Sequence, residues 1–116
     1  MISFSVLLSI YNRESPISLC QSLDSIFVQT VSPNEVVLVE DGPLSSELND
    51  IISEYSAKYP ILKIIPLPTN QGLGKALNEG LKHCSYDIVA RMDTDDIAKP
   101  DRFEKQLAIF EKYSDI

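Results

Sequence analysis

The chain has 116 residues, 44% of them hydrophobic and 23% charged, which is usual for one small globular domain or part of one. Ten basic against seventeen acidic side chains give a net charge of −7, which argues against a nucleic acid partner because nucleic-acid-binding surfaces are basic. The apolar run from Phe4 to Ile10 is too short to span a membrane, and no basic segment precedes it as in a signal peptide. We therefore expect a cytoplasmic protein.

Four apolar stretches are predicted to form strands, at residues 2–9, 35–40, 62–65 and 88–92. The first two are apolar without alternation at their centres, which is typical of parallel strands buried on both faces. The third ends at Pro66, which cannot donate to a sheet ladder, so pairing should stop there.

Helices are predicted between and after these strands by apolar residues that recur every three or four positions. The first two should follow serine caps, at Ser15 and at Ser45 or Ser46, and the other two should begin near Gly72 and at Pro100. One face of the third helix is expected to contain Leu73, Ala76, Leu77, Leu81 and Cys84. The fourth helix is expected to present Phe103, Leu107, Phe110 and Tyr113.

Strands that alternate with amphipathic helices predict an α/β fold with a mostly parallel, doubly wound (Rossmann-like) sheet flanked by helices. Such sheets bind ligands beyond the C-terminal ends of their strands. Four strands would leave one sheet edge uncovered, so we expect the front part of a larger, truncated fold. Cys20 and Cys84 match no metal-binding spacing, and both are expected to be buried free thiols on apolar helix faces.

An acidic cluster follows the fourth predicted strand in the sequence IVARMDTDD, residues 88–96. Asp93 and Asp95 are two residues apart and would point the same way in an extended chain, and Asp96 follows as the strand breaks. Carboxylates this close repel one another unless a cation or backbone N–H groups neutralise them. Mg²⁺ is usually held by one or two carboxylates and substrate phosphates. The cluster therefore predicts a divalent-metal site for a phosphate-bearing ligand; the alternative is one helix-capping aspartate beside solvated ones.

Other polar residues follow the first two strands. Tyr11, beside Asn12, offers an aromatic face on which a base could stack, or is an ordinary loop tyrosine. Asp41 offers an acceptor for a base or ribose, or belongs to an Asp-Gly turn. Lys75 lies at a helix start, where anions are favoured, and is either a ligand contact or a solvated residue. The glycines before it match neither a Walker loop nor a dinucleotide fingerprint.

Four blocks of the chain, in order, carry a family resemblance: SVLLSIYN, EVVLVEDG, NQGLGKALNEGL and RMDTDDIAKPDRFEKQ. Together they resemble the nucleotide-sugar-binding part of a family 2 glycosyltransferase with the glycosyltransferase A fold. The resemblance covers essentially the whole chain. It implies that residues 1–116 are the nucleotide-sugar-binding part of such a domain and that the acceptor-binding part is absent.

The resemblance also implies roles for individual residues. Tyr11 matches the position that stacks near the base, and Asp41 matches the residue that binds the uracil edge. Asp93 and Asp95 match an Asp-x-Asp pair, with Asp95 or Asp96 as the direct ligand of Mn²⁺ or Mg²⁺. The metal would bridge the diphosphate of a UDP-sugar and stabilise the leaving UDP. The nucleotide-sugar-binding set is Tyr11, Asn12, Asp41, Lys75 and Asp93.

The implied activity is transfer of a sugar, with inversion, from a UDP-sugar to a saccharide or lipid-linked acceptor in surface polysaccharide biosynthesis. The catalytic base is expected beyond Ile116, and the missing C-terminal part would allow peripheral association with the inner face of the membrane. Two alternatives stay open at this point. One is a non-catalytic nucleotide-binding module, and the other is a different metal-dependent phosphate enzyme such as a nucleotidyltransferase.

Overall fold

The computed structural model describes the backbone of residues 2–113 and the side chains of residues 2–109. Strands and helices alternate along it: β1 (Ser5–Ile10), α1 (Pro16–Phe27), β2 (Glu35–Glu40), α2 (Ser46–Lys58), β3 (Leu62–Pro66), α3 (Leu73–Lys82), β4 (Val89–Arg91) and α4 (Arg102–Tyr113). Ser15 and Ser45 cap the first two helices, since each side chain accepts a backbone N–H three residues on. Phe110 and Tyr113, named above for the last helix, lie outside the described side chains.

The four strands form one sheet in the order β3-β2-β1-β4, and every neighbouring pair is parallel. The predicted α/β fold class is therefore confirmed. β1 begins three residues later than expected because the Phe4 N–H is taken by the Asn34 side chain, 3.0 Å away, before the ladder starts. No helix of the described residues is long and apolar enough to cross a membrane.

Two apolar clusters cover the two faces of the sheet. The larger one joins β1 and β2 to α1, α2 and α4, with Phe4 and Phe103 in edge-to-face contact at 5.3 Å between ring centroids. The smaller one lies under α3 and includes Leu7, Val39 and Ala76. Both central strands are thus buried on both faces, as their unbroken apolar sequence predicts.

The predicted apolar face of α3 is wrong in part. Leu73 and Leu81 are 49% and 52% exposed, whereas Ala76 and Gly80 pack against the sheet. The reason is a close approach: a Cβ atom on Gly80 would come within 2.5 Å of the side chains of Leu7 and Val39. The small residues therefore face inward and the leucines lie at the flanks.

Both cysteines are free thiols, as predicted, but both are half-buried and not fully buried as expected. Cys84 is placed differently from the prediction because α3 ends at Lys82, so Cys84 follows the helix instead of lying on its face. Its thiol donates to the Gly80 carbonyl at 3.5 Å, and burial raises the pKa of the Cys84 thiol.

A buried carboxylate joins the strands at the end of the sheet where they begin. Glu35 is only 8% exposed and accepts hydrogen bonds from the Ser5 hydroxyl, the Ser85 N–H and hydroxyl, and the Lys63 ammonium, all within 3.0 Å. Burial by itself raises the pKa of Glu35, but these donors outweigh it and lower the pKa to about 2 from an ordinary value of 4.5. The ionised form is therefore the one that stabilises the fold.

Because the folded-state pKa of Glu35 is depressed, its contribution is complete above pH 4.5 and is lost as the pH falls toward 2. We expect Glu35→Gln to lower the free energy of unfolding at neutral pH by about 2–3 kcal/mol, and to flatten its decline through that acid window. Urea unfolding across this pH range measures both effects. Glu54→Gln, on the exposed side of α2, is the matched control, and equal pH profiles for the Glu35→Gln variant and the unmodified chain would contradict the assignment.

Candidate donor-binding site

A cleft of about 570 Å³ opens at the C-terminal ends of β1, β2 and β4. Four of the residues singled out from the sequence line it: Tyr11, Asp41, Asp93 and Asp95. Asn12 and Asp96 adjoin these residues in the chain but do not line the cleft, and Lys75 lies exposed in the first turn of α3, also outside it. The parallel sheet thus brings residues from three separate loops to one edge.

The carboxylates of Asp93, Asp95 and Asp96 form one exposed cluster, with ligand atoms all within 4.8 Å of one another. The expected strand geometry is wrong, because β4 ends at Arg91 and residues 93–96 form a turn in which the Asp96 N–H donates to the Asp93 carbonyl at 3.0 Å. The Asp96 side chain accepts from the Asp93 N–H at 3.2 Å, which fixes the turn from within.

This acidic turn fits a hard divalent cation. Three carboxylates offer the oxygen ligands that Mg²⁺ and Mn²⁺ prefer, and each is exposed enough to leave coordination positions for phosphate or water. Arg91 is the nearest cation to the turn among the described ion pairs, but its guanidinium is 3.9 Å from Asp93 and both side chains are more than half exposed. A pair this long and this exposed neutralises little of the charge.

Asp41 ties one wall of the cleft to the end of β2. Its side chain is 4% exposed, and its two oxygens accept the N–H groups of Gln71 at 2.7 Å and Gly72 at 3.1 Å. The next residue, Gly42, has φ +90°, and a Cβ there would lie 2.7 Å from the Asn70 nitrogen. The Asp-Gly pair is therefore both a turn and the anchor of the loop that leads into α3.

A buried polar stripe on α1 holds the loop that follows the acidic turn. Ser22 donates to the Asp93 carbonyl at 3.4 Å, and the Ser25 hydroxyl accepts the Ala98 N–H at 2.9 Å. Just past the helix end, the Gln29 amide donates to the Lys99 carbonyl at 2.6 Å and accepts the N–H of Phe103 at 3.1 Å. These side chains pair with backbone groups of an irregular segment, among them the N–H groups of the buried residues Ala98 and Phe103.

Several lining residues were not predicted from the sequence. They are Ser9, Arg13, Glu14, Asn70, Gly72, Leu73 and Thr94. Arg13 and Glu14 directly follow Tyr11 and Asn12, so their position in the same loop was the available signal. Arg13 is the cation among the described lining residues, and it adds positive charge to a cleft that also contains the acidic turn. Thr94 lies between Asp93 and Asp95, so its position was available from the sequence, but its hydrogen bonds are with residues more than 70 positions away and had no sequence signal.

The family model for glycosyl transferase family 2 matches residues 5–116. The chain belongs to this family. The predicted resemblance is thereby confirmed, and it covers the strands and loops that form the cleft.

Two curated relatives of this family 2 chain have informative names. The amylovoran biosynthesis glycosyltransferase AmsE of Erwinia amylovora is 49% identical over 113 residues, which is 97% of this chain and 42% of AmsE. The Escherichia coli UDP-Gal:alpha-D-GlcNAc-diphosphoundecaprenol beta-1,3-galactosyltransferase is 44% identical over 113 residues, which is 97% of this chain and 41% of that protein. The chain therefore spans about two fifths of the length of these relatives.

A solved structure supports the same fold. The crystal structure of S. aureus TarS 1–349 in complex with UDP-GlcNAc has a TM-score of 0.83 and 29% sequence identity, over 97% of this chain and 32% of that one. The glycosyltransferase A type predicted for the sheet is thus confirmed for this family 2 chain.

The hydrogen bonds of Gln29, just past the end of α1, lead to a prediction about stability. Gln29→Leu fills a similar volume but leaves the Phe103 N–H and the Lys99 carbonyl without their side-chain partner. We expect the free energy of unfolding to fall by about 1–3 kcal/mol. Gln21→Leu, on the exposed side of the same helix, should change it by less than about 0.5 kcal/mol. Chemical denaturation measures the free energy of unfolding of both variants. Equal decreases would show that the hydrogen bonds of the buried Gln29 amide do not stabilise the fold.

Proposed function

We propose that this chain is the nucleotide-sugar-binding part of a glycosyltransferase that uses a UDP-sugar donor. The observation that carries the proposal is the cleft itself, in which an exposed aromatic ring, an anchored carboxylate and an acidic turn meet at the ends of three parallel strands. Family membership makes sugar transfer the reaction class, and the UDP-GlcNAc complex of the TarS structure supports a uridine nucleotide as donor.

Three lining residues outside the acidic turn have a part in donor binding under this proposal. Tyr11 is 47% exposed and presents its ring for stacking with the uracil base. Asp41 already accepts two backbone N–H groups, and a carboxylate has about four lone-pair positions, so it keeps capacity for the uracil edge. Arg13 donates toward the diphosphate, for which a planar guanidinium is well suited.

The acidic turn holds Mn²⁺ or Mg²⁺, with Asp95 or Asp96 as the direct ligand and Asp93 toward the nucleotide sugar. A cation held by these carboxylates would supply positive charge that offsets the diphosphate and stabilises the departing UDP. Such a charge is required here because three carboxylates in a chain of net charge −7 would repel a bare diphosphate. Asn12 and Lys75 remain candidate donor contacts from positions beside the cleft.

The rest of the reaction belongs to the longer protein that the relatives represent. We propose inversion at the sugar carbon, with a carboxylate outside residues 1–116 as the base for the acceptor hydroxyl. The names of the two bacterial relatives, one for amylovoran and one for a diphosphoundecaprenol-linked sugar, support surface polysaccharide synthesis on a saccharide or lipid-linked acceptor. A lipid-linked acceptor fits a cytoplasmic enzyme that associates peripherally with the inner face of the membrane.

The first prediction from this proposal is that UDP binding depends on a divalent cation. The acidic turn should exclude UDP until its charge is compensated. Calorimetric titration of the chain with UDP should give measurable binding with Mn²⁺ and a loss of at least tenfold in affinity after addition of EDTA. The same affinity in both conditions would overturn the metal-dependent site.

The second prediction separates the base contact from the metal contact. Asp41→Ala should weaken UDP binding by about 1.5–3 kcal/mol, because a hydrogen-bonded buried carboxylate is lost. The ratio of affinities with and without Mn²⁺ should stay unchanged, since Asp41 is on a different strand from the acidic turn. Asp50→Ala, on the exposed side of α2, is the control. Normal UDP affinity in the Asp41 variant would reassign this residue to the turn alone.

A further inference from the structure

Thr94 lies inside the acidic turn, yet its side chain is buried. It is 4% exposed, whereas the aspartates on either side are exposed to the cleft. Its hydroxyl donates to the Glu14 carboxylate at 2.7 Å and lies 3.4 Å from the Ser9 carbonyl. The turn is therefore anchored at its centre to the loop that follows β1.

Both carboxylate oxygens of Glu14 accept hydrogen bonds from other residues of the chain. One oxygen accepts the Thr94 hydroxyl, and the other accepts the N–H of Ser15, the cap residue of α1, at 3.0 Å. Its own backbone N–H donates to the Tyr11 carbonyl at 3.1 Å and so closes the turn that carries the exposed ring. One residue thus connects the tyrosine loop, the start of α1 and the acidic turn.

This geometry argues against Glu14 as a direct ligand of the divalent cation. Among the described residues, the carboxylates that cluster within 4.8 Å are those of Asp93, Asp95 and Asp96, without Glu14. A fourth negative charge beside an acidic turn is unfavourable by itself. The short charge-assisted hydrogen bond from the buried Thr94 hydroxyl offsets this cost. A neutral acceptor at position 14 would bind that hydroxyl less strongly.

We propose that Glu14 is a positioning residue, which holds the 93–96 turn through the Thr94 hydroxyl in the conformation that binds the divalent cation. The inference rests on the proposed function, because it takes the acidic turn as the metal site. It adds that the metal affinity of the aspartates depends on a hydrogen bond that Thr94 donates to Glu14, whose carboxylate lies outside the metal-binding cluster.

A double-mutant cycle tests the proposal on the unmodified 116-residue chain and its variants. The measured quantity is the Kd for Mn²⁺ in the presence of saturating UDP, with circular dichroism to show that each variant is folded. Thr94→Val, which changes no charge, and Glu14→Ala should each raise the Kd about tenfold, as expected for one charge-assisted hydrogen bond. The double variant should be no weaker than either single one. Thr94→Ser, which keeps the hydroxyl, should stay within about twofold of the unmodified chain.

The outcomes distinguish this inference from the function on which it rests. If the unmodified chain binds no Mn²⁺ with UDP, the proposed function fails and the inference fails with it. If it binds but both single variants keep its Kd, or if their losses simply add, only the positioning role is overturned. Should Thr94→Val not fold, Glu14→Ala and Glu14→Gln decide: alanine should weaken Mn²⁺ binding tenfold, and glutamine, which retains an acceptor oxygen, by clearly less. If both Glu14 variants lost the same Mn²⁺ affinity, the negative charge of Glu14 and not its hydrogen bond would be responsible, and the proposal would be overturned.

Discussion

Parallel pairing of β1 on both of its edges is the constraint on which the rest of the structure depends. β1 is hydrogen-bonded to β2 over six residue pairs and to β4 over three. Because all three strands run the same way, the loops that follow them emerge at one edge, although the acidic turn is more than 80 residues from Tyr11 in the chain. The cleft is therefore a consequence of topology, and the local sequence decides only what each loop presents there.

The loops around the cleft have little regular structure, and buried or half-buried polar side chains are hydrogen-bonded to them. Asp41 fixes the loop before α3, Glu14 fixes the acidic turn, and Gln29 fixes the segment that leads into α4. The Asp41 and Gln29 contacts satisfy backbone groups that regular secondary structure would otherwise satisfy, and the described residues contain no buried side-chain polar atom without a partner. The cleft is thus held together by side-chain hydrogen bonds as well as by the sheet.

The sequence was sufficient to predict the elements that follow from local chemistry: strand type, serine caps, fold class and the acidic cluster. The sequence-based predictions failed where contacts with residues far away in the chain determine how a side chain is placed. Leu73 and Leu81 fit a helical apolar pattern, but the close contact of Gly80 with the sheet turned them outward. Glu14 and Thr94 look like ordinary loop residues, since their hydrogen bond exists only after β4 has paired with β1. Periodicity reports which face of an element is apolar and gives no information on such long-range polar pairs.

The short pairing of β4 has a consequence for the order in which the molecule assembles. During synthesis the first three strands emerge before β4, so the sheet can begin to form while the cleft does not yet exist. Once the chain is complete, opening of the three-residue contact between β4 and β1 would dismantle the acidic turn while the six-pair ladder between β1 and β2 stays closed. A ligand that binds only the closed cleft would then shift this equilibrium by mass action, so that its binding would help to complete the fold.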